Sequence, residues 1–239
     1  HQIGFGSKYF AAFGFLANWN SDYSSDLKIY PGLDLSYTIT PSIKLIGSVN
    51  QAMRLPTFTD LYYAGPANLG NVALVPEKAT SYEIGFKYSK NEVSIDAVYS
   101  SRIGKNIIDW VWLEDIEKWQ TQNILDQTIN GLEAGISYKP LSESSFVQNL
   151  YLNYTYLDAS IQENQQLTKY ASTHLKNQLN FGGTLQILPK LNLNVSLAYR
   201  DRVGVFQSYN FDNNIFVEES YNDVFLLDIS AQYKHEHFT

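Results

Sequence analysis

Apolar and polar residues alternate with a period of two in about ten separate stretches of this chain, and no other feature limits its fold as tightly. In an extended strand successive side chains point to opposite faces, so strict alternation assigns one apolar face and one polar face. From Leu191, the residues Leu191, Leu193, Val195, Leu197 and Tyr199 are apolar, while Asn192, Asn194, Ser196 and Arg200 lie between them. The same pattern gives Leu33, Leu35, Tyr37 and Ile39; Tyr82, Ile84, Phe86 and Tyr88; Leu132, Ala134, Ile136 and Tyr138; and Leu227, Ile229, Ala231 and Tyr233. Further strands are predicted over roughly residues 8–19, 42–53, 92–103, 147–158 and 175–188.

The connections alternate in length. Thr40 to Ser42, Lys90 with Asn91, Lys139 to Ser145, and Leu188 to Lys190 read as short turns; about 20–28, 54–80, 104–124, 159–173 and 204–222 read as long segments. Short turns at one end and long loops at the other describe an up-and-down meander. Six of the seven prolines fall in connections, where no ladder hydrogen bond is lost, and Pro31 is placed at a strand start.

Two architectures can use such strands. A soluble β-sandwich buries its apolar face, whereas a transmembrane barrel turns that face to lipid, keeps small polar residues in its lumen and carries aromatic girdles at both interfaces. Tyr37, Tyr88, Tyr99, Tyr138, Tyr199 and Tyr233 stand near strand ends, and the polar face holds Ser36, Ser48, Ser94, Ser137, Asn153, Thr155, Asn180 and Thr184. Only 17% of residues are charged, against the quarter usual for a soluble domain. The expectation is therefore all-β: an antiparallel up-and-down transmembrane β-barrel. The longest apolar run, Tyr9 to Ala17, is too short for a membrane-spanning helix. A formal charge of -7 disfavours nucleic acid as a partner, and the absence of cysteine removes disulfides, thiolate nucleophiles and thiolate metal sites.

One region carries a recognisable signature. Arg54, Pro56, Asp60, Leu61 and Tyr62 are followed by Gly70, Asn71, Leu74, Pro76 and Glu77, and then by Tyr82, Glu83 and Gly85. In order and spacing this resembles the barrel signature of TonB-dependent outer-membrane receptors: R-x-P-x-x-x-D-L-Y, then G-N-x-x-L-x-P-E, then Y-E-x-G. The resemblance implies that residues 1–239 are part of a barrel of about twenty-two strands, of which about ten are predicted here. It also implies an N-terminal plug domain, a TonB-type energy transducer acting through that plug, outer-membrane lipid around the barrel, and a small-molecule ligand. The plug and the terminal strands are expected to lie outside this chain, which opens with His1 and stops at Phe238 and Thr239.

The signature also has a local physical reading. Pro56 biases Leu55 toward extended geometry, Gly70 and Asn71 suit a tight turn, and Pro76 ends the loop before a new strand. Glu77 and Glu83 are positioned to accept hydrogen bonds from Arg54 or Lys78. On this reading the motif shapes the mouth of the barrel and touches no ligand.

Other chemistry is sparse. His235 and His237 share a strand face without a third metal ligand, Glu236 pointing the other way; His174 reads as a satisfied histidine at the start of a strand; and Glu114, Asp115 and Glu117 read as a solvated loop rim. No cofactor, metal site or catalytic residue is expected. Trp110, Trp112 and Trp119, with loop tyrosines Tyr62, Tyr63, Tyr209 and Tyr221, either stack a planar ligand at the mouth or pack an extended hairpin above the membrane. Two functions follow for comparison: an outer-membrane receptor that takes up cobalamin or a ferric siderophore, or a self-contained ten-stranded barrel enzyme, a protease or lipase, which would need an Asp/His or Ser/His pair that the sequence does not display. Haem is disfavoured as the ligand because Thr57 to Leu69 contains no histidine, the residue that haem receptors of this family place there.

Overall fold

The computed structural model describes residues 2–6, 8–21, 24–124, 126–142, 145–161, 168–169, 174–210 and 215–234, with backbone only at 3–5, 24–25, 161, 207, 209–210 and 215–216. His1, His235, Glu236, His237, Gln165, Phe211, Phe238 and Thr239 lie outside the described residues, as does the side chain of Tyr209.

Alternation produces strands throughout. In chain order they are β1 (Gln2–Phe5), β2 (Tyr9–Asn20), β3 (Ser24–Thr40), β4 (Ile43–Arg54), a short helix α1 (Phe58–Tyr62), β5 (Asn68–Leu69), β6 (Glu77–Lys90), β7 (Val93–Lys105), β8 (Ile108–Leu113), β9 (Lys118–Asn123), β10 (Gln127–Tyr138), β11 (Val147–Ile161), β12 (His174–Leu188), β13 (Leu191–Val203), β14 (Val205–Asn210), β15 (Ile215–Ser220) and β16 (Val224–Tyr233). Eleven of them form one sheet in the order β1-β2-β3-β4-β6-β7-β10-β11-β12-β13-β16, and all of its pairings are antiparallel. This is the expected meander, and among the described residues its two edge strands do not pair with each other.

Register keeps the two faces separate across the sheet. Leu45, Phe86, Ala97 and Ala134 stand opposite one another on neighbouring strands, as do Ser48, Glu83, Ser100 and Gly131 on the other face. The apolar face is uncovered by protein: Ile84 is 66% exposed, Phe225 70% and Ile229 63%. A sandwich would bury that face under a second sheet.

Three expectations need correction. The segment 20–28 is not a long loop: β2 runs to Asn20, β3 starts at Ser24, and these two residues pair across an antiparallel hairpin. Pro31 is therefore not at a strand start but inside β3, opposite Phe15; pairing with β4 begins only at Gly32, so Pro31 withholds no ladder bond from that neighbour. The segments 54–80, 104–124 and 204–222, read as loops, contain α1 and the small strands β5, β8, β9, β14 and β15.

Among the described residues the few buried side chains beyond glycine are Val111, Thr121, Asp109, Leu74, Pro56 and Tyr30, and all but Tyr30 lie in the connections above the long-loop end of the sheet. That end holds the protein's only tightly packed interior among the described residues.

Candidate functional site at the mouth of the sheet

The end of β4 and the start of β6 are directly opposed, Arg54 facing Glu77 across the ladder. Arg54 donates from Nε and Nη2 to the two Glu77 carboxylate oxygens at 2.9 and 2.7 Å, a fork that matches guanidinium to carboxylate geometry. Its Nη1 donates to Asp60 Oδ2 at 3.2 Å. That carboxylate also closes the first turn of α1: Thr57 Oγ1 accepts from the Asp60 amide at 3.1 Å and Asp60 Oδ2 accepts from the Thr57 amide at 2.8 Å, a reciprocal capping box. Glu77 Oε1 accepts a further bond from the Ile108 amide at 2.8 Å, which ties the base of β8 to the same carboxylate.

Electrostatics reinforce the fork at this rim, outside the membrane-spanning stretch of the strands. Partial burial opposes ionisation of Glu77, but the Arg54 hydrogen bond, the Ile108 amide and the charges of Arg54 and Arg102 outweigh it and hold the carboxyl below its ordinary value. The Glu77 hydrogen bond raises Arg54 in turn.

The loop after α1 folds back upon the helix. Gly70 donates to the Tyr63 carbonyl at 2.6 Å, and a Cβ at Gly70 would stand 2.8 Å from the backbone of Leu61 and Tyr62, so the close approach needs glycine. The turn itself lies one step later than expected: Asn71 Oδ1 accepts from the Ala73 amide at 2.9 Å and the Asn71 carbonyl from the Leu74 amide at 3.4 Å. Leu74 is then buried, and Pro76 precedes β6 as expected.

Residues with no sequence signal complete the assembly. Thr121, fully buried on β9, donates its hydroxyl to the Asp60 carbonyl at 2.7 Å. Asn123 binds the Val75 backbone both ways, accepting from its amide and donating to its carbonyl at 2.9 Å each, and also donates to the Asn106 carbonyl at 2.7 Å. β5 runs parallel to β9, β9 pairs antiparallel with β8, and Val111 bridges to Thr168. Two long connections are thus joined in one small sheet, and the Thr168 bridge ties a third to it.

The remaining signature residues divide by face. Glu83 accepts from the Ser48 hydroxyl at 3.4 Å rather than from Arg54 or Lys78; Lys78 stands on the opposite, apolar face of β6. Tyr82 is on that apolar face and is half exposed. Leu61 and Tyr62 end α1, where Tyr62 packs against Phe58 with ring centroids 4.9 Å apart.

The tryptophans sit on the β8–β9 hairpin. Trp110 meets Tyr63 edge-on at 6.3 Å, Trp112 meets Trp119 at 5.6 Å, and Lys169 Nζ lies 5.8 Å over the Trp119 ring. Tyr221 packs on Phe206 and under the Arg202 guanidinium, while Tyr209 lies in β14. Glu114, Asp115 and Glu117 occupy the exposed turn of the hairpin. His174 begins β12 as expected, but it is not satisfied: its buried Nδ1 has no hydrogen-bond partner among the described residues.

The TonB dependent receptor-like β-barrel family model matches residues 3–239. The vitamin B12 transporter BtuB of Vibrio vulnificus is 32% identical over 120 residues, 49% of this chain and 19% of the relative. Among solved structures, the siderophore receptor PirA of Acinetobacter baumannii superposes with a TM-score of 0.72 at 15% identity, covering 99% of this chain and 38% of that one. A mutant ferric enterobactin receptor, PfeA of Pseudomonas aeruginosa, in complex with enterobactin gives 0.72 at 16% identity, covering 99% and 37%. The chain thus spans about a fifth of the curated relative and under two fifths of these receptors. With the mouth signature of Arg54, Asp60 and Glu77 in place and the family matched across the sheet, the chain belongs to the TonB-dependent receptor β-barrel family.

Proposed function

We propose that the full-length protein is a bacterial outer-membrane transporter that binds a scarce solute at its extracellular loops and admits it when a TonB-type energy transducer rearranges a plug domain. The observation that carries this reading is the family match over residues 3–239. Strands of 12 to 14 residues such as β10 and β6 exceed the 9–11 residues needed to cross a bilayer. Their exposed apolar face suits lipid, and the opposite face suits the plug. The short turns at 41–42, 91–92 and 189–190 then face the periplasm, and the mouth assembly faces outside.

Cobalamin and a ferric siderophore are the ligand classes in play, and the 32% identity to a vitamin B12 transporter puts cobalamin first. Tyr63, Trp110, Trp112 and Trp119, with Tyr209, would contact it at the mouth. Growth assays test the reading. A strain lacking the receptor should lose cobalamin-dependent growth at nanomolar supply while keeping growth on ferric siderophores, and a strain lacking the transducer should lose that cobalamin-dependent growth as well. Uptake that survives loss of the transducer would mark a passive pore and refute the proposal; selective loss of siderophore-supported growth would reassign the ligand.

A further inference from the structure

Lys78 on β6 and Lys105 on β7 stand directly opposite one another in register, both exposed, and both on the apolar face that carries Tyr82, Ile84 and Tyr99. Like charges at directly opposed positions repel, with side chains starting about 5 Å apart. Neither lysine has an ion-pair partner among the described residues. They line a groove of about 270 Å³ together with Gln51, Thr80, Tyr82 and Ile103, and none of the residues lining this groove is a carboxylate. The groove thus offers two ammonium groups, a hydroxyl and a carboxamide to an oxyanion, and nothing that repels one.

Its height selects the source of that anion. Lys78 lies four residues toward the mouth from Tyr82, about 13 Å along the strand and about 10 Å along the barrel axis at the usual tilt. If Tyr82 marks the upper girdle, the ammonium groups reach the level of lipid phosphates. The groove opens beside half-exposed Tyr82 and Ile103, so its occupant meets an apolar wall below and cations above. We propose that Lys78 and Lys105 form a binding site for the phosphate-bearing headgroup of an outer-leaflet lipid, seated with its acyl chains along Tyr82 and Ile103. This rests on the membrane orientation proposed above.

Native mass spectrometry of the full-length receptor in neutral detergent tests the site, using lipid A, a bisphosphorylated acylated disaccharide, and its dephosphorylated counterpart as probes. Lys78→Gln and Lys105→Gln should each weaken lipid A binding about fivefold and together more than tenfold, whereas the arginine variants should retain it. Lys44→Gln with Lys87→Gln removes the same charge from an opposed pair on the other face and should change nothing. Equal weakening by that control, or equal affinity for the dephosphorylated lipid, would overturn the site. Displacement of lipid A by millimolar inorganic phosphate would assign the groove to a free oxyanion and overturn the lipid assignment. A receptor that inserts into phosphatidylcholine vesicles yet shows no preference for lipid A fails this proposal alone; one that inserts into no bilayer fails the membrane reading itself.

Discussion

Replacing Glu77 by glutamine removes one charge and alters one atom, at the point where four segments meet. The carboxylate accepts two bonds from Arg54 and one from the Ile108 amide, all between 2.7 and 2.9 Å. Glutamine keeps one oxygen, enough for the Ile108 amide and one guanidinium N–H, but turns an NH₂ toward the other. One charge-assisted bond is lost, worth about 1.5–3 kcal/mol, and the Coulombic attraction goes with it. The Arg54 side chain is 44% exposed, so water recovers part of the loss and the figure stays below the 3–5 kcal/mol of a fully buried pair. A net cost of about 2–3 kcal/mol to closure of the mouth corresponds to about 30- to 150-fold faster local opening.

Amide hydrogen exchange on the full-length receptor reads this directly: protection should fall by that factor at Ile108 and Leu61, with β10 and β11 unchanged. The pH dependence supplies a second reading. Glu77 is held below its ordinary value of 4.5, so its contribution is complete above that pH and is lost as pH falls through the depressed value. Protection at Ile108, corrected for intrinsic exchange, should decline in acid for the native protein and stay flat for Glu77→Gln. A change under threefold at neutral pH, or an equal change throughout the sheet, would show that this carboxylate does not hold the mouth together.

Gly70→Ala drives a methyl into the Leu61 and Tyr62 backbone and should cost about 1–3 kcal/mol, seen as raised proteolysis between β4 and β6. Thr121→Val keeps the shape but removes one of the two bonds to the Asp60 carbonyl, which still accepts from the Asn71 amide at 2.9 Å, and should cost about 0.5–1.5 kcal/mol by the same exchange assay at α1. Val195→Arg on the apolar face should cost about 2–4 kcal/mol of barrel stability near the bilayer midplane. Asn194→Arg should cost less, about 1 kcal/mol, for the lost bonds to Thr184 and Ser230, as urea titration in lipid vesicles would measure. For topology, a thiol at Glu114 in the exposed β8–β9 turn should react with an impermeant reagent on intact cells, and one at Lys90 should not. Lys90 is preferred to Asn91, whose φ of 52° suits asparagine and would strain cysteine.

The sheet was legible in the sequence because alternation is local and redundant: each strand states its own faces, and ten such statements fix a meander. Elements without alternation stayed hidden. β1 has four residues, and the first half of β3 runs through Lys28 and Pro31 with a pattern broken by that proline. α1 was visible in principle, since Thr57 and Asp60 form a capping box inside the quoted signature, but five residues give no helical periodicity. The anchoring roles of Thr121 and Asn123 were not legible at all, because their partners lie 61 and 48 residues away and are backbone atoms, which leave no mark on side-chain pattern.

The position of the signature follows from what solvent does along the strand. Where lipid covers the apolar face, ladder bonds and alternation suffice, and substitution among apolar residues changes little. Above the bilayer that cover ends, and loops of twenty residues must be fixed by their own contacts; there Val111, Thr121 and Leu74 are buried and Arg54, Asp60 and Glu77 interlock. The tryptophans depend on this. Trp110 is two residues from Ile108, whose amide is held by Glu77, and Glu77 is held by Arg54. A shift of the Arg54 guanidinium therefore reaches the aromatic pair of Trp110 and Tyr63 through two hydrogen bonds and two residues of strand, which couples the signature to the geometry of the mouth.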